Sequence, residues 1–233
     1  MEQDFNNFAK DYRQIHTENV QGISGADSYY FAEYKVKELS RFEKNTPVKL
    51  LDLGCGDGAT EFFLQQNLPA IEVNAIDVSD RSIEVAVQRN LQNSSFELYD
   101  GSEIPFGDNI FDIVFVAGVL HHVSFDKQKQ LLSEISRVLK TGGRLYLFEH
   151  NPLNPFTKYL VRTCVFDEGV TLLKSKDSKK LVTEAGLQIA ARNFTIFFPR
   201  KNFFKPFLKL EKYLYSVPFG GQYYIRAIKP LLV

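Results

Sequence analysis

Three glycines at alternate positions, Gly54, Gly56 and Gly58, interrupt a chain that reads as a buried strand from Val48 to Leu53 and turns helical from Ala59. Glycines so placed between a strand and a helix let a ligand touch the backbone, because a side chain would block the approach and resist positive φ. Carboxylates recur at the ends of the next two strand candidates. Ile71 to Ile76 runs into Asp77, 21 residues beyond Gly56, where a carboxylate can accept from both ribose hydroxyls of a nucleoside cofactor. Ser95 to Tyr99 runs into Asp100-Gly101-Ser102, which puts another acid on the same rim, suited to an adenine amino group. Three of the four histidines, His121, His122 and His150, fall at the ends of the two strands that follow. Imidazole is the side chain best matched to proton transfer near neutral pH. Together these residues suit a nucleoside cofactor held beside an acceptor that gives up a proton to His150 or His121.

The elements that must position them alternate. Ile110 to Leu120 is a nearly continuous apolar run, as expected of a strand covered on both faces. Leu139-Lys140-Thr141-Gly142-Gly143 reads as a helix end and a double-glycine turn before a fifth strand that ends at His150. Helices are expected over Gly58–Asn67, over Asp80–Leu91 with Ser79 as N-cap, and over Asp126–Lys140. Strands alternating with helices imply an α/β fold, a doubly wound and mostly parallel sheet. Beyond residue 150, Pro152 and Pro155 forbid regular structure until about Thr157. A helix over Ser175–Ala185 with Gly186 as C-cap, a strand over Leu187–Phe198, a helical insertion and a last strand over Gln222–Ile228 complete the reading. Residues 1–45 read as a helical cap rich in aromatics (Phe5, Phe8, Tyr12, Tyr29, Tyr30, Phe31, Tyr34) around a break at Gly22 to Gly25. We read residues 1–233 as one domain: the cap, a cofactor-binding core over 46–150, and substrate-side elements over 151–233 that complete the sheet. Ligands of open α/β sheets bind beyond the carboxyl ends of the strands. The acceptor should therefore meet His121, His122, Glu149, His150 and Asn151, with Tyr12 and Tyr30 reaching it from the cap.

Four ordered motifs carry a resemblance: Asp52-Leu53-Gly54-Cys55-Gly56-Asp57-Gly58, Asp77, Asp100-Gly101, and Leu139-Lys140-Thr141-Gly142-Gly143. Over roughly residues 30–150 the chain resembles the class I S-adenosylmethionine-dependent methyltransferases, of a bacterial small-molecule type. The resemblance implies a seven-stranded Rossmann-like sheet with an antiparallel edge strand, and S-adenosylmethionine as cofactor, leaving as S-adenosylhomocysteine. It places Gly54, Cys55 and Gly56 against the methionyl part, Asp77 on the ribose and Asp100 at the adenine, with Asp52, Val78, Gly101, Ser102, Ala117 and Gly118 completing the contacts. Gly54 to Ala59 also fits the dinucleotide fingerprint of an NAD-dependent oxidoreductase. Asp52 and Asp57 flank the loop, and a pyrophosphate at a helix N-terminus gains little from two carboxylates, whereas a zwitterionic sulfonium tolerates them. A non-catalytic binding module of the same fold is the remaining alternative. Its mark would be the loss of cofactor contacts, and every expected one is present.

Composition narrows the partners. The 233 residues carry 28 basic and 28 acidic side chains, so a nucleic-acid partner is not expected. Charge is nonetheless uneven: Arg192 to Lys229 holds eight basic residues against the single acid Glu211. Phe203, Phe204, Phe207, Leu208, Leu210, Tyr213 and Leu214 interleave with those cations, a pattern that suits an anionic or amphipathic acceptor or peripheral contact with an anionic membrane. The longest apolar run is far short of the roughly 20 residues that span a bilayer. With no targeting signal at the N-terminus and only Cys55 and Cys164, a cytoplasmic enzyme is expected. No metal site is expected, since Asp52, Asp77 and Asp100 sit on different strand ends. The acceptor is expected to be a small molecule methylated at oxygen, a sugar, glycan or lipid precursor, or a flat aromatic that the cap residues would suit.

Overall fold

Side chains of the central strands alternate between two apolar layers, and this alternation is why their sequences read as unbroken hydrophobic runs. In β4 (Phe111–Ala117), Val114 and Val116 enter one layer while Ile113 and Phe115 enter the other. In β5 (Leu139–His150), Leu145 and Leu147 alternate in the same way with Tyr146 and Phe148. The structure, a computed structural model, describes residues 11–231. Its seven strands, including β1 (Lys49–Leu53), β2 (Glu72–Asp77), β3 (Ser94–Leu98), β6 (Gln188–Thr195) and β7 (Gln222–Ile228), form one sheet in the order 3, 2, 1, 4, 5, 7, 6. Strands β3, β2, β1, β4 and β5 pair in parallel, and β7 is antiparallel to both its neighbours. The β6–β7 pair closes one side of the sheet, with antiparallel β7 one strand in from the edge.

One layer buries Val36 and Leu39 of α2 (Ser28–Ser40) and Leu64 of α3 (Ala59–Asn67). The other buries Leu132 and Ile135 of α5 (Phe125–Val138) and Val182 of α7 (Ser175–Glu184). The strand order reverses between β1 and β4, whose carboxyl ends therefore open a crevice. Among the described residues, no helix is long and apolar enough to cross a membrane.

Several boundaries depart from the sequence reading. The first helix, α1 (Tyr12–Ser24), runs through Gly22, and the break falls at Gly25, which adopts φ of 69°. Phe5 and Phe8 lie outside the described residues. Helix α4 (Asp80–Val87) is shorter than expected, although Ser79 caps it by accepting from the Ser82 N–H at 3.1 Å. Leu139, expected in a helix, already pairs with Phe111, and the register shifts before Ile113 meets Arg144. That shift absorbs the double-glycine segment, where Gly142 has φ of 79°. The insertion over Asn202–Tyr213 is a 3-10 helix with Pro206 inside it.

The prolines after residue 150 do not prevent a helix; Pro155 begins one. In the first turn of α6 (Pro155–Thr163) proline forfeits only an N–H that would be unpaired anyway. Asn154 caps this helix by accepting from the Thr157 N–H at 3.0 Å, while its own amide donates to the Phe219 carbonyl at 2.7 Å. Removing an N-cap side chain typically costs about 1 to 2 kcal/mol. Asn154→Ala should therefore lower the free energy of unfolding by about that much in denaturant titration, and an unchanged midpoint would contradict the capping role.

Candidate functional site

The turn after β1 is built on positive φ at Gly54, Gly56 and Gly58 (81°, 55° and 77°). A Cβ on Gly54 would sit 2.3 Å from Val119 Cγ2, so this glycine is required by close packing. A Cβ on Gly56 would meet nothing within 4 Å, which leaves the loop's outer face open to a ligand. Asp77 holds the loop in this shape. Its carboxylate accepts from the Gly56 N–H at 2.8 Å and from the Ser79 N–H at 2.9 Å.

A single cavity of about 1510 Å3 extends from this loop across the carboxyl ends of the strands. It exceeds the roughly 300 to 1,000 Å3 of a typical one-ligand pocket, so a cofactor and an acceptor fit side by side. Gly54, Cys55, Gly56, Asp77, Val78, Asp100, Gly101, Ser102, Ala117 and Gly118 line one part of it. Asp100 is exposed there, its carboxylate accepting from the Ser102 N–H and hydroxyl at 2.9 and 2.6 Å. Tyr12, Tyr30, His121 and His150 line another part. Three expected residues, Asp52, Glu149 and Asn151, do not line the cavity. Asn151 is buried in a turn, donating to the carbonyls of Pro218 and Gly220 at 3.0 and 2.7 Å and accepting from the Leu153 N–H at 3.1 Å. Its amide is spent on backbone, which leaves nothing for a substrate.

Asp52 lies behind the loop beside Glu61 of α3; both are buried, and the carboxylate oxygens of Glu61 accept no hydrogen bond. Burial raises both acids, and the charge of Asp52 adds to the rise on Glu61; Asp52 is pushed up to about 7. Asp57 is buried as well, but Arg13 of α1 and Arg89 grip its carboxylate, with Arg13 Nε at 2.9 Å and Arg89 Nη2 at 2.5 Å. Against the effect of burial, these two cations hold Asp57 below the usual carboxylate range. The two acids expected to repel a pyrophosphate are thus largely neutralised. The charge argument against a dinucleotide does not survive in the folded protein.

At the ends of β4 and β5 the histidines have distinct surroundings. His121 Nδ1 lies 2.6 Å from Glu149 Oε2, and Glu149 Oε1 accepts from the Leu120 N–H at 2.9 Å, all of it buried. Despite burial, Glu149 and Asp167 push the His121 imidazole up to about 10. His150 lies with its ring 5.3 Å from that of His121, and burial followed by the His121 charge lowers it to about 4. His122, also on the cavity wall, is lowered to about 4 for the same reasons.

The cap contributes residues that the sequence reading missed. His16, the fourth histidine, stacks on Tyr12 and accepts or donates at Ser28 Oγ, 2.8 Å away. Lys35 also lines the cavity; burial and then the charge of Arg13 lower it to about 8, against Glu149 and Asp52. Tyr12, His16, Val20 and Ile23 fall on one stripe of α1, as Ser28, Phe31, Ala32 and Lys35 do on α2, and all face the cavity. That helical spacing was the available signal. Asp167, in the short 3-10 turn Val165–Asp167, had none.

A family model described as a methyltransferase domain matches residues 51–147, which hold the glycine turn, Asp77, Asp100 and the double-glycine segment. The core is a class I S-adenosylmethionine-dependent methyltransferase domain. Among curated relatives, the chain is 35% identical over 108 residues to demethylmenaquinone methyltransferase of Thermotoga maritima, covering 46% of each chain. It is 30% identical over 120 residues to the ubiquinone/menaquinone biosynthesis C-methyltransferase UbiE of Desulfotalea psychrophila, covering 49% of this chain and 48% of that one. The matches thus span about half the length of these relatives. In fold, the chain is similar to one from the complex of the Haloferax volcanii Trm112 methyltransferase activator with its methyltransferase (TM-score 0.74, 18% identity, 99% and 100% of the two chains). The cofactor of that family is S-adenosylmethionine, and the open face of Gly56 lies in the same cavity that Asp77 and Asp100 line.

Two outcomes follow for this domain. Gly56→Val should abolish S-adenosylhomocysteine binding in calorimetry while costing only about 1 to 2 kcal/mol of stability for the left-handed backbone. Retained binding would place the cofactor elsewhere. For the acid pair, a carboxyl raised in the folded state favours folding at low pH, and that contribution is lost as pH rises from about 4, the unfolded value, through the raised value. Glu61→Gln should therefore gain melting temperature over the parent progressively as pH rises above about 4. A difference independent of pH would show that the pair is not strained.

Proposed function

We propose that this chain transfers the methyl group of S-adenosylmethionine to an oxygen of a small, largely apolar acceptor bearing an acidic hydroxyl, a phenol or enol. The observation that carries the reading is the continuity of one cavity from the glycine turn to His150. A sulfonium bound along Gly54 to Gly56 and an acceptor seated against His150 share that space without crossing a protein wall. Methyl transfer is an in-line displacement, so most of the rate comes from aligning the acceptor lone pair with the sulfonium carbon in a dry site.

His150 is half-buried and held in its neutral form, which leaves an imidazole lone pair to accept the hydroxyl proton as the oxygen attacks. His121 has its Nδ1 committed to Glu149 and serves better to orient than to accept. Lys35, cationic below about pH 8, stabilises negative charge on the cofactor's carboxylate or on the acceptor. The rings of Tyr12, Tyr30, Phe31 and Phe166 supply an apolar, aromatic wall suited to a flat acceptor. Sugar and glycan acceptors fit that wall less well. The exposed Phe203 and Tyr213, at 77% and 71%, stand on the same segment as Lys201, Lys205, Lys209 and Lys212 and would favour an acceptor drawn from an anionic membrane surface.

A phenolate is ambident, and the relatives named as C-methyltransferases make a carbon acceptor the second reading. Product analysis separates the two. With isotopically labelled cofactor and a panel of phenols, enols and hydroquinones, the product should be a methyl ether. His150→Gln should lower kcat by about a hundredfold or more while S-adenosylhomocysteine affinity stays within about twofold. Turnover at the parent rate would remove His150 from the chemistry, and a carbon-methylated product would replace the oxygen reading.

A further inference from the structure

Between the strand ends and the 3-10 turn that carries Asp167, two imidazoles and a carboxylate converge at ion-pair distances wider than a strong hydrogen bond. His121 Nε2 and His122 Nε2 each lie 3.5 Å from Asp167 Oδ1, and one donor atom from each of the three residues lies within 4.8 Å of the others. A charge-assisted hydrogen bond would draw an imidazole and a carboxylate to about 2.7 to 2.9 Å. The neighbouring Glu149–His121 contact does so, at 2.6 Å. By contrast, 3.5 Å is close to the edge of a coordination tetrahedron, about 3.4 Å for metal–ligand bonds of about 2.0 to 2.2 Å.

A second observation is independent of that spacing. His121 Nε2 is buried and makes no hydrogen bond, although the opposite ring nitrogen is fully engaged. Glu149, itself fixed by the Leu120 N–H, accepts from Nδ1–H and so leaves Nε2 facing Asp167 and His122, where a bound ion takes the place of the Nε2 proton that the imidazolium carries in the metal-free protein. A carboxylate behind one imidazole nitrogen, with the other nitrogen facing a second imidazole and a carboxylate, is the support expected of a metal-binding histidine.

We propose that His121, His122 and Asp167 bind a divalent transition-metal ion, Zn2+ by the borderline character of two imidazoles and one carboxylate, with Glu149 positioning His121. Three protein donors leave at least one coordination position, and all three residues line the cavity. An oxyanion of the acceptor completes the coordination there; that assignment of the fourth ligand rests on the methyl-transfer reading, whereas ion binding itself does not.

The test uses full-length protein stripped with a chelator, desalted, and titrated with Co2+ and then Zn2+ in the absence of cofactor and acceptor. One equivalent of Co2+ should bind with the visible absorption of a four- or five-coordinate ion, and Zn2+ should displace it. His122→Gln and Asp167→Asn should each weaken binding by more than tenfold, and Glu149→Gln by about ten- to a hundredfold. Circular dichroism and S-adenosylhomocysteine affinity report whether each variant is folded. Where a variant is not, proton NMR of the Co2+-loaded parent should show two hyperfine-shifted imidazole N–H resonances. Absence of a one-equivalent site, affinity unchanged in folded His122→Gln and Asp167→Asn, or no shifted imidazole signals would overturn the site. Since S-adenosylhomocysteine binding is measured separately, loss of the metal site and loss of the methyltransferase reading are distinguishable.

Discussion

The carboxylate of Asp77 is the point on which the cofactor half of the site depends. Three alternating turn glycines at positive φ would sample many shapes, and it is the bond from the Gly56 N–H to Asp77, with Gly54 and Cys55 N–H groups on the Ile76 carbonyl, that selects one. The same carboxylate fixes the entry to α4 through Ser79. A single side chain at the end of β2 thus shapes both the glycine turn and the start of the next helix. Asp57, at the far side of the turn, extends the arrangement outward, since its two arginines tie α1 and α4's flank to the loop.

The acceptor half is governed by a different constraint, the cost of burying charge. Glu149 and His121 satisfy each other at the end of adjacent strands, and their pairing sets the state of the surrounding imidazoles. A cation at His121 holds His150 and His122 neutral, so three histidines within one small volume are chemically distinct. Asp52 and Glu61, two acids buried side by side beneath the loop, are the counterpart, and their raised protonation makes stability depend on pH.

The parallel sheet was legible because its strands are buried on both faces and end in glycine or acid, which leaves marks at fixed places: Gly54 to Gly58, Asp77, Asp100. What remained hidden arises from contacts between distant segments. Asp52 and Asp57 look alike beside the glycines, yet one faces α3 and the other meets Arg13 from the cap, 44 residues away. Asn151 sits next to His150 in sequence, but the turn beyond β5 spends its amide on Pro218 and Gly220. Pro155 marks the start of a helix or the absence of one depending on whether Asn154 caps it. Asp167 carries no local signal, because its importance comes only from where the 3-10 turn crosses the histidines.

Because the acids flanking the glycine turn are neutralised, charge alone does not exclude a dinucleotide from the cavity assigned to S-adenosylmethionine. Competition calorimetry of the parent protein with S-adenosylhomocysteine and NAD measures this directly. S-adenosylhomocysteine should bind at one site that saturating NAD does not displace. Tight NAD binding that blocks S-adenosylhomocysteine would contradict it.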